Sequence, residues 1–319
     1  MTEPLPTGLD EGMDDEQLDT QTKKNIPVPL QRAIETTNCP PNYDELLNFD
    51  LVVLSPGVPL KHRLPTQAMA CGIPVTSEVA FAASMLPKSV EIVCVTGTNG
   101  KSTTTTFLAQ MLSAMGHRVW AGGNLGQPLS KLAYDAVTDG GLIPHYAAVE
   151  VSSYQLEPTG EFPVSAACIL NVGADHLDRH QSLEKYAETK AKLVDHLEPG
   201  SLTGIISEDV VAYCGCTRAL QGCARIGSLP GVIVHNNEAE VLHSDWRRSR
   251  NLDLSALRCP GSHNMVNAAV CSASFASVGH HPVLLRHWKI FLCEPQNGIG
   301  SLLAGSTSSC SRDEWFPHR

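Results

Sequence analysis

Positive charge is scarce in this chain. Lys and Arg total 23 against 33 Asp and Glu, a formal net charge of −10. That balance excludes a general nucleic-acid binder, because a phosphate backbone has to be met by a basic footprint. Long apolar runs are missing as well: no stretch approaches the ~18 residues of a membrane-spanning helix, so no membrane insertion is expected. The opening residues, MTEPLPTGLDEGMDDEQLDT, are acidic and lack an apolar centre. They match neither a secretory signal nor an arginine-rich transit peptide. Separated C-x-x-C pairs are absent among the eleven cysteines, the nearest cluster being Cys214, Cys216 and Cys223. Reduced thiols in a reducing compartment are therefore expected, by default a bacterial cytoplasm, with a plastid as the alternative. No repeat of 20–50 residues is present, and the sequence carries no sign of an oligomeric state.

What is there is the composition of a soluble globular protein, 42% hydrophobic and 18% charged, in 319 residues, long enough for two domains. Residues 1–45 are acidic and polar with weak periodicity and are expected to be poorly ordered. FDLVVLSPGVPL, 49–60, reads as a buried strand running into a Ser-Pro-Gly turn. A helix, a short strand near Ile73 and a second helix follow. EIVCV reads as a strand, and 102–115 as a helix with Phe107, Leu108, Met111 and Leu112 on one side. YAAVEV and SAACILNV are further buried strands, and 182–196 is a charged amphipathic helix. Strands alternating with helices predict an α/β fold with a doubly wound, mostly parallel sheet of P-loop type. The expected division is a partial amino-terminal domain over 46–89, a central domain over 90–279 and an irregular tail over 280–319.

The stretch VTGTNGKST carries the first chemistry. Gly97 and Gly100 follow a strand, and Lys101, Ser102 and Thr103 open the next helix, with Thr98 and Asn99 in the turn between. Glycines let successive N–H groups turn inward, and the helix N-terminus adds partial positive charge. Lys101 is then in reach of β- and γ-phosphate oxygens, and Ser102 is the expected Mg2+ ligand. Val95 stands where the strict G-x-x-x-x-G-K-[ST] pattern has its first glycine. The bland alternative is an ordinary strand–turn–helix with a surface lysine.

VTGTNGKSTTT, GGNLG, VEVSSYQLE, ILNVGADHLDRH and GSHNMVNAA occur in the order and approximate spacing of the Mur ligases, and the chain resembles that family over roughly 49–279. EVSSYQLE favours the members that join D-glutamate to UDP-N-acetylmuramoyl-L-alanine. The resemblance implies ATP with Mg2+, or Mn2+ in its place, and a two-step amide synthesis through an acyl phosphate. It further implies that Glu150 and His176 hold metal near Lys101 and Ser102, and that Lys190 is carried as a carbamate, with oxygens suited to a hard ion. Asn124 in GGNLG would orient the substrate, Asn264 and Asn267 would meet the adenine edge, and Gly57 in LSPGV would belong to the uridine diphosphate loop.

Each of these residues also has a plain structural reading. Glu150 fits a strand-end cap, His176 a structural hydrogen bond, and Asn124 a turn. Lys190 fits a solvated position on a charged helix, as does Lys192. Three departures stand out. Residues 1–45 hold no equivalent of the strand and glycine-rich turn that usually open the family's first domain, so part of the uridine diphosphate site is expected to be missing. Gly173 and Ala174 replace the threonine and the proline or acid common in the family, and no recognisable third domain follows Gly279. This polypeptide alone is therefore expected to be a weak or inactive catalyst. A non-catalytic ATP-binding or partner protein and another amide ligase, such as folylpolyglutamate synthase, are the alternatives.

Overall fold

The computed structural model describes residues 7–9, 35–37, 46–138, 142–158, 160, 163–197, 204–215, 217–242, 249–255, 257, 259 and 261–277. The chain divides into two compact units, Met1–Thr76 and Ser77–Arg319. Of the stretch expected to be poorly ordered, 7–9 and 35–37 are described, and they pair as parallel strands β1 (Thr7–Leu9) and β2 (Glu35–Thr37). The expected tail, 280–319, lies outside the described residues.

In the first unit, strand β3 (Val52–Leu54) pairs with β4 (Val75–Ser77), and helix α1 (Arg63–Ala70) connects them. Leu46, Ala68 and Ile73 are its buried apolar centre. The division at Thr76 falls earlier than the expected boundary at 89/90. The reason is packing: Val79, Ala80, Ala82 and Ala83 of helix α2 (Glu78–Met85) are buried in the same cluster as the central strands, so α2 belongs with the second unit.

The second unit is built on nine strands. They are β5 (Glu91–Thr96), β6 (Val119–Gly123), β7 (Tyr146–Glu150), β8 (Ala166–Ile169), β9 (Gly204–Ser207), β10 (Ala224–Ile226), β11 (Gly231–His235), β12 (Glu238–Leu242) and β13 (Arg250–Asp253). Their order across the sheet is β13-β12-β11-β10-β9-β8-β5-β7-β6. Every pair from β6 to β11 is parallel, and β12 and β13 close the far edge as antiparallel strands. The parallel strands are apolar on both faces, as strands covered on both sides must be. In β5, Val93 and Val95 enter one core while Ile92 and Cys94 enter the other; in β7, Tyr146 and Ala148 alternate in the same way with Ala147 and Val149.

Helix α3 (Lys101–Ala114) and helix α10 (Ser262–Ser277) cover one face. Phe107, Leu108, Met111 and Leu112 of α3 are at most 1% exposed, the stripe that the sequence predicts. Removing such side chains from water is worth about 1.5–3 kcal/mol each. The other face carries α2 and α4 (Leu129–Thr138), with α5 (Ser153–Leu156) and α7 (Leu183–Asp195) further along. Short helices α6 (Leu177–His180), α8 (Glu208–Cys214) and α9 (Arg218–Gln221) complete the second unit. From β5 the chain crosses to β6 at the edge, returns to β7, and then passes to β8 on the other flank of β5. This reversal opens a crevice at the carboxyl ends of β5, β7 and β8, the position at which open α/β sheets bind ligands. Among the described residues, no helix is long and apolar enough to cross a membrane.

Candidate active site

The loop leaving β5 supplies the first wall. Gly100 caps α3 with φ 85°, in the left-handed region that favours glycine, and a Cβ there would lie 2.9 Å from Asn267 Oδ1. Thr104 is the first residue of α3 to donate back to this cap, to the Gly100 carbonyl at 2.9 Å. The N–H groups of Lys101, Ser102 and Thr103 precede it, so helix geometry gives them no internal acceptor and leaves them directed at a ligand. Lys101 folds over the loop, its Nζ donating to the carbonyls of Gly97 (3.0 Å) and Thr98 (2.9 Å).

Lys190 arrives at the same place from α7. Ser182 starts that helix, its hydroxyl accepting from Lys185 N, and Tyr186, Ala187, Lys190, Leu193 and Val194 form its buried stripe. Lys190 is 1% exposed, which excludes the solvated reading. Its Nζ donates to Gly97 O at 3.1 Å and sits 4.3 Å from the centre of the Tyr186 ring. Burial, with the Lys101 ammonium adding to it, lowers the Lys190 pKa from 10.5 to about 7, against a smaller upward pull from Asp175. Lys192, expected to be solvated, is half-buried, and its Nζ donates to Glu157 O at 3.1 Å.

Glu150 ends β7, in register with Val95 of β5 and Gly123 of β6. It is 1% exposed. Asn124 Nδ2 donates to its Oε1 at 3.2 Å, so the asparagine of GGNLG is tied to this carboxylate. Oε2 is buried and has no hydrogen-bond partner. Gly123, at φ 112°, allows the approach, since a Cβ there would lie 2.2 Å from the Glu150 carbonyl oxygen.

His176 lies beyond β8, at the start of α6, and adopts the left-handed conformation (φ 51°) that non-glycine residues seldom take. Its side chain is 46% exposed, with Nε2 3.4 Å from Asp175 Oδ2. The Tyr154 ring lies 4.9 Å away and the Tyr186 ring 6.5 Å. The segment around it is anchored to the β7 exit twice. Arg179 forms a two-point pair with Glu157, its closest contact 2.7 Å, and buried His180 meets Ser153 Oγ at 3.0 Å. Burial holds the His180 pKa below its ordinary value.

Asn264 and Asn267 share one face of α10, both buried, with Asn267 Nδ2 3.5 Å from Asn264 Oδ1. Asn267 backs the β5–α3 loop at Gly100. Gly57 belongs to the first unit, in the turn where Val58 N donates to Ser55 O. The structure therefore gathers Lys101, Lys190 and Asn267 around one loop. It sets Glu150 with Asn124 on the adjoining strand ends, and His176 on the neighbouring segment. The sequence reading missed Asn171 and His180. A lone asparagine after a strand and a second histidine in DHLDRH carry no spacing signal, although their partners lie inside the recognised motifs.

Residues 95–275 match the Mur ligase middle domain. The chain belongs to the Mur ligase family. It is similar to UDP-N-acetylmuramoylalanine–D-glutamate ligase from Thermoanaerobacter sp. (strain X514), 32% identical over 231 residues, which are 72% of this chain and 49% of that protein. The enzyme of the same name from Koribacter versatilis (strain Ellin345) is 31% identical over 270 residues, 83% of this chain and 58% of the relative. This Mur ligase chain thus spans about half the length of the relatives it matches. Among solved structures it is similar in fold to UDP-N-acetylmuramoyl-L-alanyl-D-glutamate–2,6-diaminopimelate ligase. That likeness has a TM-score of 0.52 at 17% identity and covers 77% of this chain and 60% of the other.

Proposed function

We propose that this chain carries the nucleotide and metal half of an ATP-dependent amide ligase of peptidoglycan precursor synthesis. In this reading it joins D-glutamate to UDP-N-acetylmuramoyl-L-alanine through an acyl phosphate. The observation that carries the reading is the buried Oε2 of Glu150, without a hydrogen-bond partner among the described residues, on the strand next to β5, whose following loop is met by two lysines. A buried carboxylate oxygen without a partner is costly, and a cation at that point would answer it.

The donor set suits magnesium. Among the described residues no group of three or more His, Cys, Asp or Glu side chains could hold a metal ion. In this reading Glu150, Ser102 and His176, with Lys190 as a carbamate, would hold the ion together with phosphate oxygens and water. When bound, Mg2+ supplies Lewis acidity to the phosphate oxygens. Lys101, released from the Gly97 and Thr98 carbonyls, would pair with β- and γ-phosphates. Lys190, whose amine is substantially neutral near pH 7, has the nucleophilic form that adds to CO2, losing a proton and becoming a carbamate. As a carbamate it would turn an anionic oxygen pair towards the metal. Asn124 would orient the acyl group beside Glu150, and Asn264 would lie towards the nucleotide's base.

The decisive assay incubates the purified chain with ATP, Mg2+, UDP-N-acetylmuramoyl-L-alanine and D-glutamate. Phosphate release that requires both acceptor substrates supports the ligase reading. ATP turnover indifferent to either substrate contradicts it.

A further inference from the structure

The loop after β5 is held from the side by Asn171, a residue of the ILNVGADHLDRH stretch to which the sequence reading gave no role. Asn171 follows β8 by two positions and makes three contacts with the loop. Its carbonyl accepts from Thr98 N at 3.1 Å, its Oδ1 accepts from Asn99 N at 2.8 Å, and its Nδ2 donates to Asn99 O at 3.0 Å. The last two close a ring around the Asn99 peptide, satisfying donor and acceptor at once. Gly173, two residues further, donates its N–H to Thr98 Oγ1 at 2.9 Å. The β8 exit therefore runs along the loop in a strand-like pairing, although it belongs to the segment that carries Asp175 and His176.

This pairing changes which loop groups can meet a phosphate. The N–H groups of Thr98 and Asn99 are already committed to Asn171. Those of Lys101, Ser102 and Thr103 are left without helical acceptors. We propose that Asn171 is a positioning residue for phosphate recognition, which fixes the Thr98–Asn99 peptides so that the α3 N-terminus, rather than the whole loop, grips the anion. The same contact would make the loop and the His176 segment move together, so that occupation of one biases the other. This inference rests on the nucleotide reading above and refines it.

The contact and its consequence are tested separately. Amide hydrogen exchange in the nucleotide-free protein should show Thr98 and Asn99 protected. Asn171→Leu, which keeps the volume and removes both side-chain bonds, should lose the protection of Asn99, whereas Thr98, bonded to the main-chain carbonyl of residue 171, keeps its partner. Unchanged protection of Asn99 overturns the proposal whether or not nucleotide binds. Calorimetry then compares adenosine with ADP. Two hydrogen bonds of ordinary net strength correspond to about thirty-fold in affinity, so ADP binding should weaken by up to about that factor while adenosine binding stays the same. Asn171→Ser provides the same comparison if the leucine variant unfolds. An ADP-to-adenosine ratio equal to the wild type in a folded variant overturns the proposal. A wild type with no preference for ADP sinks the nucleotide reading instead, and the exchange result still decides the role of Asn171.

Discussion

Lys101 and Lys190 donate to one oxygen, the carbonyl of Gly97, at 3.0 and 3.1 Å. Two lysine side chains, one opening α3 and one from a helix 89 positions later in sequence, are thus held on a single acceptor, and the Lys101 charge adds to burial in lowering the Lys190 pKa. A bound polyanion would relieve that like-charge effect.

The first prediction is a pH dependence of stability. Lys190 has a folded pKa of about 7, below its ordinary 10.5. Between those values the unfolded chain binds more protons than the folded one, so stability rises with pH across this window, by at most ~1.4 kcal/mol per pH unit. Below about pH 7 the cost of the buried ammonium is present in full. Lys190→Met should abolish the slope and be more stable than the wild type at pH 6. Urea unfolding from pH 6 to 9 measures it, and parallel curves for the two proteins would refute the assignment.

Carbamylation follows from the same amine. With 13C-bicarbonate near neutral pH, the wild type should give a carbamate carbon resonance that is lost on acidification and absent from Lys190→Met. A spectrum identical for the two proteins would exclude Lys190 as the carbamylated residue.

Glu150 gives a prediction of opposite sign for folding and binding. Its Oε2 is buried without a hydrogen-bond partner among the described residues, so Glu150→Gln gives up a carboxylate oxygen that nothing there satisfies while keeping an oxygen for Asn124 Nδ2. The variant should melt at or above the wild-type temperature. A loss of several degrees would mean that the carboxylate stabilises the fold and is not kept for a ligand.

How much of this was legible in the sequence depended on whether a residue's signal lay in its neighbours. The apolar run of β5 and the stripe Phe107, Leu108, Met111 and Leu112 are periodic, and periodicity is what burial on one face produces. Lys190 and Lys192 are both lysines on one charged helix; only a resemblance separated them, and the structure buries the first while the second reaches a carbonyl at 3.1 Å. The antiparallel edge, β12 and β13, went unread because its strands are short: β12 alternates polar and apolar residues over only the first four of its five positions, and β13 spans four. Asn171 stood inside the ILNVGADHLDRH stretch and still received no role, because its side chain bonds to the Asn99 backbone, and a backbone partner leaves no mark on the identity of residue 99.

The phosphate loop's dependence on glycine is also testable. Gly100→Ala would place a Cβ in the left-handed region and 2.9 Å from Asn267 Oδ1. Strain of this kind costs on the order of 1–3 kcal/mol. Chemical denaturation should show that loss, and Asn267→Ala should recover part of it by removing the facing amide. Additive losses in the double variant would mean that the two residues do not meet.

The most direct test of the central claim is the affinity for ADP measured by calorimetry with and without Mg2+, in the wild type, Lys101→Ala and Glu150→Gln. Mg2+ should tighten binding to the wild type, Lys101→Ala should weaken binding in both conditions, and Glu150→Gln should bind metal-free ADP at least as well as the wild type yet gain nothing from Mg2+. Identical affinities and identical metal dependence in all three proteins would show that Lys101 and Glu150 do not share one nucleotide–metal site.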